Sequence, residues 1–109
     1  MKQEIVANHE NDEQGRPAGG LTVSTGLVIA WQNGPLGRVG TDERIAPNGA
    51  FVETVIAAAI DRLEYYQNSR FTCEENAMAI RYLEQALAAL ESRTIRRERA
   101  GTEGTHEGR

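Results

Sequence analysis

The chain has 109 residues, of which 39% are apolar, and fourteen of those apolar residues are alanine. This length and composition predict a single domain over residues 1–109 with a modest core. A single cysteine, Cys73, excludes an internal disulfide and any zinc site made of several cysteines. No apolar run approaches the ~20 residues of a membrane-spanning helix, and the start lacks the apolar stretch of a secretory signal. We therefore expect a soluble cytoplasmic protein with no membrane partner and no cofactor.

The net charge of −4 is unevenly distributed. Residues 93–109 contain five arginines and three glutamates, which gives +2, so the preceding residues 1–92 sum to −6. A largely acidic chain does not coat a nucleic acid polymer through phosphate contacts. A local cluster of arginines can nevertheless hold a small anionic ligand.

The N-terminal part of the chain is predicted to be a short β region. Residues 1–20 are polar and indicate a flexible arm or a loosely paired edge segment. The β-branched stretch 21–32 predicts one bent strand, or two short ones, with the bend at Gly26. Turn residues follow at 33–37, so residues 21–46 are predicted to form a β-ribbon and a connector.

Two amphipathic helices are predicted within residues 47–100. The first is expected to begin after Pro47 with Asn48 as its N-cap, and to end near Ser69. The second begins with a capping-box pattern formed by Thr72 and Glu75. Its apolar stripe is predicted at Ala77, Ile80, Leu83, Leu87 and Leu90, continuing to Thr94, and the 3-4-3 spacing from Ile80 to Leu90 is that of a coiled-coil seam.

A short link between these helices predicts an antiparallel hairpin and places the chain in the α+β class. A two-helix hairpin cannot bury the apolar surface of both helices by itself. The short strand region covers only part of the remainder, so we expect a homo-oligomer. Residues 101–109 are predicted to be a tail.

No enzyme signature is present in the sequence, and we predict no catalytic residue. There is no phosphate-binding loop, nucleophile elbow or zinc-protease motif. The two histidines, His9 and His106, lie at opposite ends of the chain, which is unfavourable for a metal site or a catalytic triad. Cys73 at the start of the second helix is interpreted as a small buried residue or, less commonly, a nucleophile.

Basic residues near the end of the second helix are the main candidates for ligand binding. Arg93, Arg96 and Arg97 share one helical face, whereas Arg99 points elsewhere. They are interpreted either as cations favoured at a helix C-terminus or as a phosphate clamp, because guanidinium groups bind phosphate oxygens bidentately.

Residues around the predicted link offer groups that could bind a base. Tyr66 or Phe71 can stack on a purine, and Asn76 can hydrogen bond to its polar edge. Alternatively, Tyr66 packs in the apolar stripe of its own helix, and Asn76 fixes the register of the seam. The glycine-rich tail 101–107 is interpreted either as disordered or as a segment whose backbone N–H groups approach a ligand.

Taken together, four segments resemble the Thoeris anti-defence one proteins of phages, which share a helical hairpin domain with phage anti-CBASS sponge proteins. The segments are GLVIAWQNGPLG, APNGAFVETVIAAAIDRLEYYQ, FTCEENAMAIRYLEQAL and RTIRRERAGTEGTHE. The resemblance covers residues 20–107, and the combination of these segments is specific. The first twenty residues match no part of the family pattern.

This resemblance implies a small α+β protein with an N-terminal antiparallel β-ribbon and two long helices, assembled as a dimer or a hexamer. It also implies a phage- or prophage-encoded protein of the host bacterial cytoplasm. Such proteins bind and sequester cyclic signalling nucleotides without cleaving them. The implied ligands are glycocyclic ADP-ribose isomers of Thoeris immunity and, in hexameric relatives, cyclic di- or trinucleotides of CBASS immunity at separate sites between protomers.

The resemblance also implies roles for individual residues. Arg93 and Arg97 would bind the pyrophosphate and adenine side of the ligand, Asn76 the base or ribose, and Tyr66 would stack. Arg44 in the connector is a further phosphate partner, and Phe71 completes the expected ligand-binding set. A second nucleotide site at a junction between protomers is expected, chiefly on composition, from Arg96, Arg99, Gly104, Thr105 and His106.

Two other functions compete with sequestration. An enzyme that degrades the same messengers would need a general base near the arginines, for which Glu98, Glu103 and His106 are the candidates. A helical-hairpin module that binds a host protein would need no nucleotide at all. Recovery of the ligand after binding separates these three functions.

Overall fold

The computed structural model describes residues 1–99. Its elements are, in chain order, β1 (Val6–Asn11), β2 (Pro17–Ser24), β3 (Leu27–Ala30), α1 (Val52–Gln67) and α2 (Glu74–Arg99). The strands form one antiparallel sheet in the order β1-β2-β3. The predicted α+β class is therefore confirmed. Within residues 1–99, no helix is both long and apolar enough to cross a bilayer.

Residues 6–11 and 17–20 take part in the sheet, so the prediction of a flexible arm is wrong for them and the alternative of a paired edge segment is correct. Strand β1 pairs with β2 from Val6 opposite Val23 to Asn11 opposite Pro17. All six side chains of β1 are exposed, so no alternation of apolar and polar residues signals this strand in the sequence. Of the two alternatives for residues 21–32, the pair of short strands is confirmed, and Gly26 adopts the positive φ of 74° that their turn requires.

A carboxylate organises the turn between β1 and β2. Asp12 Oδ1 accepts hydrogen bonds from the backbone N–H groups of Gln14 and Arg16, at 2.9 and 3.0 Å. Asp12 Oδ2 accepts a third hydrogen bond from Arg16 Nε at 2.7 Å. Chiefly because the Arg16 backbone N–H stabilises the ionised carboxylate, the pKa of Asp12 is lowered.

The connector between β3 and α1 is closed by the side chain of Asn48, which was predicted to be a helix cap. Helix α1 begins at Val52, with Phe51 in the N-cap position, so that prediction is wrong. Asn48 Oδ1 instead accepts from the Asn33 N–H at 2.8 Å, and its Nδ2 donates to the Asn33 carbonyl at 3.1 Å. The Asn48 N–H donates to Gln32 Oε1 at 2.9 Å. We call this set of hydrogen bonds among Gln32, Asn33 and Asn48 the connector clasp.

The hairpin has the predicted seam. Residues 68–73 link α1 to α2, and this short link makes the two contacting helices antiparallel. The predicted stripe is half-buried from Ile80 onward, at Ile80, Leu83, Leu87, Leu90 and Thr94, whereas its first member, Ala77, is exposed. Helix α2 begins at Glu74, so Cys73 occupies the N-cap position that was assigned to Thr72. The Cys73 side chain is exposed, which contradicts its interpretation as a buried residue.

The sheet and the helical hairpin share no packed face within residues 1–99. They are joined by a short β-bridge with two hydrogen bonds. The Ala50 N–H donates to the Ala30 carbonyl at 2.7 Å, and the Gln32 N–H donates to the Ala50 carbonyl at 3.0 Å. Among the described residues only Leu36 and Thr22 are buried, at 9% and 8% exposure. Many large apolar side chains within residues 1–99 are exposed, among them Val28 at 72%, Phe71 at 64% and Tyr65 at 61%. A single chain thus leaves much of its apolar surface exposed.

Candidate functional site

The predicted ligand-binding residues fall into two groups at opposite ends of the hairpin. Tyr66, Phe71 and Asn76 surround the link, whereas the arginines lie near the end of α2. At ~1.5 Å per residue, Arg93 lies about 25 Å along α2 from Asn76. Within one chain, the two groups do not meet around one small ligand. Three members of the expected second site, Gly104, Thr105 and His106, lie outside the described residues.

The arginine group lies on an overhang of α2. This helix has 26 residues and α1 has 16. Because the helices are antiparallel and of unequal length, α2 continues about 15 Å past the start of α1. We call Arg93, Arg96 and Arg97 the arginine face, since their helical spacing places them on one side of this overhang.

The members of the arginine face differ in burial. Arg93 and Arg96 are exposed, and neither forms a hydrogen bond or an ion pair within residues 1–99. Arg97 is half-buried and continues the spacing of the seam after Leu90 and Thr94. Two exposed guanidinium groups are thus available to an anion, beside a third that is partly packed. The same location also favours cations through the helix dipole, so the geometry is compatible with both interpretations of these arginines.

The ring of Tyr66 lies against an arginine that the sequence analysis did not single out. Arg62 Nε donates to the Tyr66 hydroxyl at 3.1 Å. Its guanidinium carbon lies 4.8 Å from the ring centroid of Tyr65 and 4.9 Å from that of Tyr66. The hydrogen bond to Tyr66 raises the pKa of Arg62. The i, i+4 spacing of Arg62 and Tyr66 on one helix would have allowed this contact to be predicted from the sequence.

The two tyrosines have different surroundings. Tyr66 is half-buried in the stripe of α1, as its packing interpretation expects, whereas Tyr65 is 61% exposed. Their ring centroids are 5.9 Å apart with an interplanar angle of 57°. Arg62, Tyr65 and Tyr66 together form an aromatic and cationic surface at the end of α1, which we call the tyrosine pair site. Such a surface can stack against the face of a base.

The link itself is held by side-chain hydrogen bonds. Ser69 Oγ donates to the Tyr66 carbonyl at 2.6 Å and accepts from the Phe71 N–H at 3.1 Å. Asn76 Nδ2 donates to the Phe71 carbonyl at 3.3 Å, so the amide of Asn76 has a partner in the protein. The Phe71 ring is 64% exposed, with the Arg70 guanidinium carbon 5.0 Å from its centroid. Asn76 therefore positions the link, while Phe71 presents an open ring beside it.

Arg44 supports the connector. Its Nη1 donates to the Gly37 carbonyl at 2.9 Å, inside the loop that the connector clasp closes. This loop joins α1 through Ala50, at the end of the hairpin from which the α2 overhang projects. The loop that carries Arg44 thus meets α1 at the same end of the hairpin as the arginine face.

Groups for acid–base or metal chemistry are sparse in the described part of the chain. Residues 1–99 contain no cluster of three or more His, Cys, Asp or Glu side chains that could hold a metal ion. Glu98 is exposed on the α2 overhang, whereas Glu103 and His106 lie outside the described residues.

Comparison with known proteins supports the resemblance seen in the sequence. A family described as "Acb2/Tad1, hairpin domain" matches residues 26–94, which include β3, the connector, α1 and α2 as far as Thr94. A protein of Bacillus phage SBSphiJ7 named "Thoeris anti-defense 1" is 49% identical over 80 residues, which cover 73% of this chain and 52% of that relative. The chain thus spans about half the length of this curated relative. Because the family match covers more than half of the chain, the protein belongs to the Acb2/Tad1 hairpin-domain family.

Proposed function

We propose that this protein is a phage anti-defence protein that binds cyclic nucleotide immune messengers and sequesters them without cleavage. Membership in the Acb2/Tad1 family and the name of the Bacillus phage relative support an anti-defence role. The observation that carries the binding part of the proposal is the arginine face on the α2 overhang, with Arg93 exposed beside the half-buried Arg97, in a chain whose residues 1–92 sum to −6. The proposed ligands are glycocyclic ADP-ribose isomers and cyclic di- or trinucleotides, in the cytoplasm of the infected bacterium.

The proposed chemistry is recognition alone. Arg93 and Arg97 bind phosphate oxygens through charge-assisted hydrogen bonds, which are about twice as strong as neutral ones. Tyr66 and the exposed rings of Tyr65 and Phe71 supply stacking surfaces for bases. Inhibition then follows from mass action, because each bound messenger is unavailable to the host effector. Such a protein acts stoichiometrically and depends on its affinity and abundance.

The ligand site is proposed to lie between protomers. Tyr66 and Asn76 are about 25 Å along the hairpin from Arg93, so one ligand contacts both groups only if different chains contribute them. A single chain also leaves large apolar side chains exposed, such as Val28, Phe71 and Tyr82, which another copy of the chain could cover. We propose a homo-oligomer, a dimer or a hexamer, in which the link of one hairpin lies near the α2 overhang of another. The second nucleotide site, with Arg96 and Arg99, would lie at another junction of this assembly.

A second candidate function is binding of a host protein through the outer face of the hairpin. Large side chains remain exposed there in the single chain, including Tyr82 at 59% and Met78 at 38%. In the assembly that we propose, other copies of the chain cover this surface. The two functions differ in whether a nucleotide binds.

Titration of the full-length protein with each nucleotide, followed by recovery of the ligand, tests the proposal. The purified protein is titrated calorimetrically with glycocyclic ADP-ribose isomers and with cyclic di- and trinucleotides. It is then heat-denatured, and the supernatant is analysed by chromatography. Intact ligand in the amount bound is the expected result. A cleaved product would make the protein an enzyme and direct attention to Glu98 and His106, and absence of binding would favour the host-protein module.

A further inference from the structure

Two Asn-Gly sequences meet at the connector clasp. They are Asn33–Gly34 and Asn48–Gly49, on the two strands of chain that close the loop. Asparagine before glycine is prone to deamidation, because a glycine without a Cβ atom leaves its backbone nitrogen open to approach. That nitrogen attacks the asparagine Cγ and ammonia leaves, which gives a cyclic succinimide. Water then opens the ring at either carbonyl, to aspartate or to isoaspartate.

The side chain of Asn48 is held away from this reaction. Its Oδ1 accepts from the Asn33 N–H at 2.8 Å, and its Nδ2 donates to the Asn33 carbonyl at 3.1 Å. Both polar atoms are therefore engaged across the loop and not with Gly49. Gly49 itself lies so close to the Trp31 backbone that a Cβ atom there would clash with it. Attack on Asn48 Cγ requires that these contacts open first.

The clasp holds the backbone of Asn33 but not its side-chain amide. The clasp uses only its backbone N–H and carbonyl, and its side-chain amide forms no hydrogen bond within residues 1–99. The residue is exposed. Gly34 has a φ of 76°, and no atom lies within 4 Å of the position that a Cβ would occupy. The Asn33 Cβ and Cγ atoms lie close to Gly19, but no hydrogen bond within residues 1–99 has to break before the amide turns toward the Gly34 nitrogen.

We propose that Asn33–Gly34 is a site of spontaneous deamidation in the folded protein, and that the connector clasp protects Asn48–Gly49 from the same reaction. The reaction needs only water as a co-reactant. Its product adds a carboxylate at the start of the loop that also carries Arg38 and Arg44. The isoaspartate form also lengthens the main chain by one carbon, which displaces Gly34 from the Gln32 side chain that donates to its carbonyl at 3.2 Å.

Peptide mass spectrometry measures both sites in one sample. The full-length protein is incubated at mildly alkaline pH, either native or in concentrated urea, and is digested after increasing times. Fragment ions show whether the side-chain amide of residue 33 has become a carboxyl group. Deamidation of Asn48 is read from the tryptic peptide 45–62, in which Asn48 is the single asparagine. In urea we expect similar rates at both sites. In the native protein we expect Asn48 to react on the order of tenfold more slowly than Asn33.

Two variants test the cause of the difference. Gln32→Ala removes the acceptor of the Asn48 N–H and should accelerate deamidation of Asn48, whereas the exposed Gln85→Ala in α2 should leave both rates unchanged. Equal native rates at Asn33 and Asn48, or equal slowing of both relative to urea, would overturn the proposal. Unchanged protection of Asn48 in Gln32→Ala would refute a contribution of the Gln32–Asn48 hydrogen bond.

Discussion

The side-chain amide of Gln67 spans the link of the hairpin and binds the backbone of Cys73 at two points. Gln67 Nε2 donates to the Cys73 carbonyl at 3.0 Å, and Oε1 accepts from the Cys73 N–H at 3.0 Å. The last residue of α1 is thereby joined to the residue that precedes α2. These two hydrogen bonds fix the position of α2 along the axis of α1, and therefore the register of the seam.

Replacing Gln67 should destabilise the hairpin. A hydrogen bond of this kind contributes about 0.5–1.5 kcal/mol, so we expect Gln67→Ala to lower the free energy of unfolding by about 1–2 kcal/mol. Urea denaturation monitored by helical circular dichroism measures the change, at one protein concentration for all variants. Gln85→Ala makes the same chemical change at an exposed position of α2 and should stay within about 0.5 kcal/mol of the wild type. Equal losses in the two variants would show that the amide bridge contributes nothing.

The Asp12 turn should make the β1–β2 hairpin sensitive to acid. The pKa of Asp12 in the folded protein lies below its ordinary value of 3.8, chiefly because the Arg16 N–H donates to the carboxylate. The carboxylate therefore contributes stability above pH 3.8, and this contribution is lost as the pH falls through the lower folded pKa. We expect Asp12→Asn to reduce the loss of unfolding free energy on acidification, whereas Glu13→Gln should retain the wild-type dependence. A wild-type dependence in Asp12→Asn would contradict the assignment.

Loss of an arginine from the arginine face should weaken ligand binding without dissociating the assembly. A hydrogen bond to a charged group contributes about 1.5–3 kcal/mol, so Arg93→Ala or Arg97→Ala should raise the Kd for the tightest-binding nucleotide by at least about tenfold. Arg81→Ala removes an exposed arginine from the middle of α2 and should leave the Kd unchanged. Calorimetry gives the Kd, and sedimentation confirms the assembly. Normal binding by both Arg93→Ala and Arg97→Ala would refute the clamp.

The role of Tyr66 can be separated into its ring and its hydroxyl. If the ring stacks on a base, Tyr66→Phe should retain binding, although it removes the acceptor of the Arg62 hydrogen bond. Tyr66→Ala should lose about 1–3 kcal/mol of binding free energy, the usual value for one base stacked on an aromatic side chain. Calorimetric titration of both variants gives the comparison. If Tyr66→Phe binds as weakly as Tyr66→Ala, the hydroxyl and its contact with Arg62 carry the effect and stacking does not.

The sequence predicted local periodic features well because one helix contains all the necessary information. The 3-4-3 spacing from Ile80 to Leu90 identifies the seam, and the i, i+3, i+4 spacing of Arg93, Arg96 and Arg97 identifies the arginine face. In contrast, strand β1 is exposed along its whole length and has no hydrophobic pattern to reveal it.

Contacts between segments that are distant in the sequence could not be predicted from local sequence patterns. Asn48 has the residue type of an N-cap, but its hydrogen bonds to Asn33 depend on the closing of a long loop. For the candidate site, the helical spacing already separates Asn76 from Arg93 by about 25 Å. Whether they cooperate depends on the packing of several chains, which the order of residues in one chain does not specify.

The proposed site therefore requires that several chains assemble. If they do, the stability of the protein should depend on its concentration. The wild-type protein should sediment as a dimer or larger species, and its Tm should rise with concentration. Tyr82→Glu places a charge on the outer face of α2, which is exposed in the single chain. Loss of an aromatic contact that is buried in the assembly costs about 2 kcal/mol or more. We therefore expect self-association to be at least ~30-fold weaker. Gln14→Glu adds the same charge in the β1–β2 turn and should assemble normally. A wild-type chain that stays monomeric with a constant Tm, yet binds a nucleotide tightly, would refute a ligand site shared between protomers.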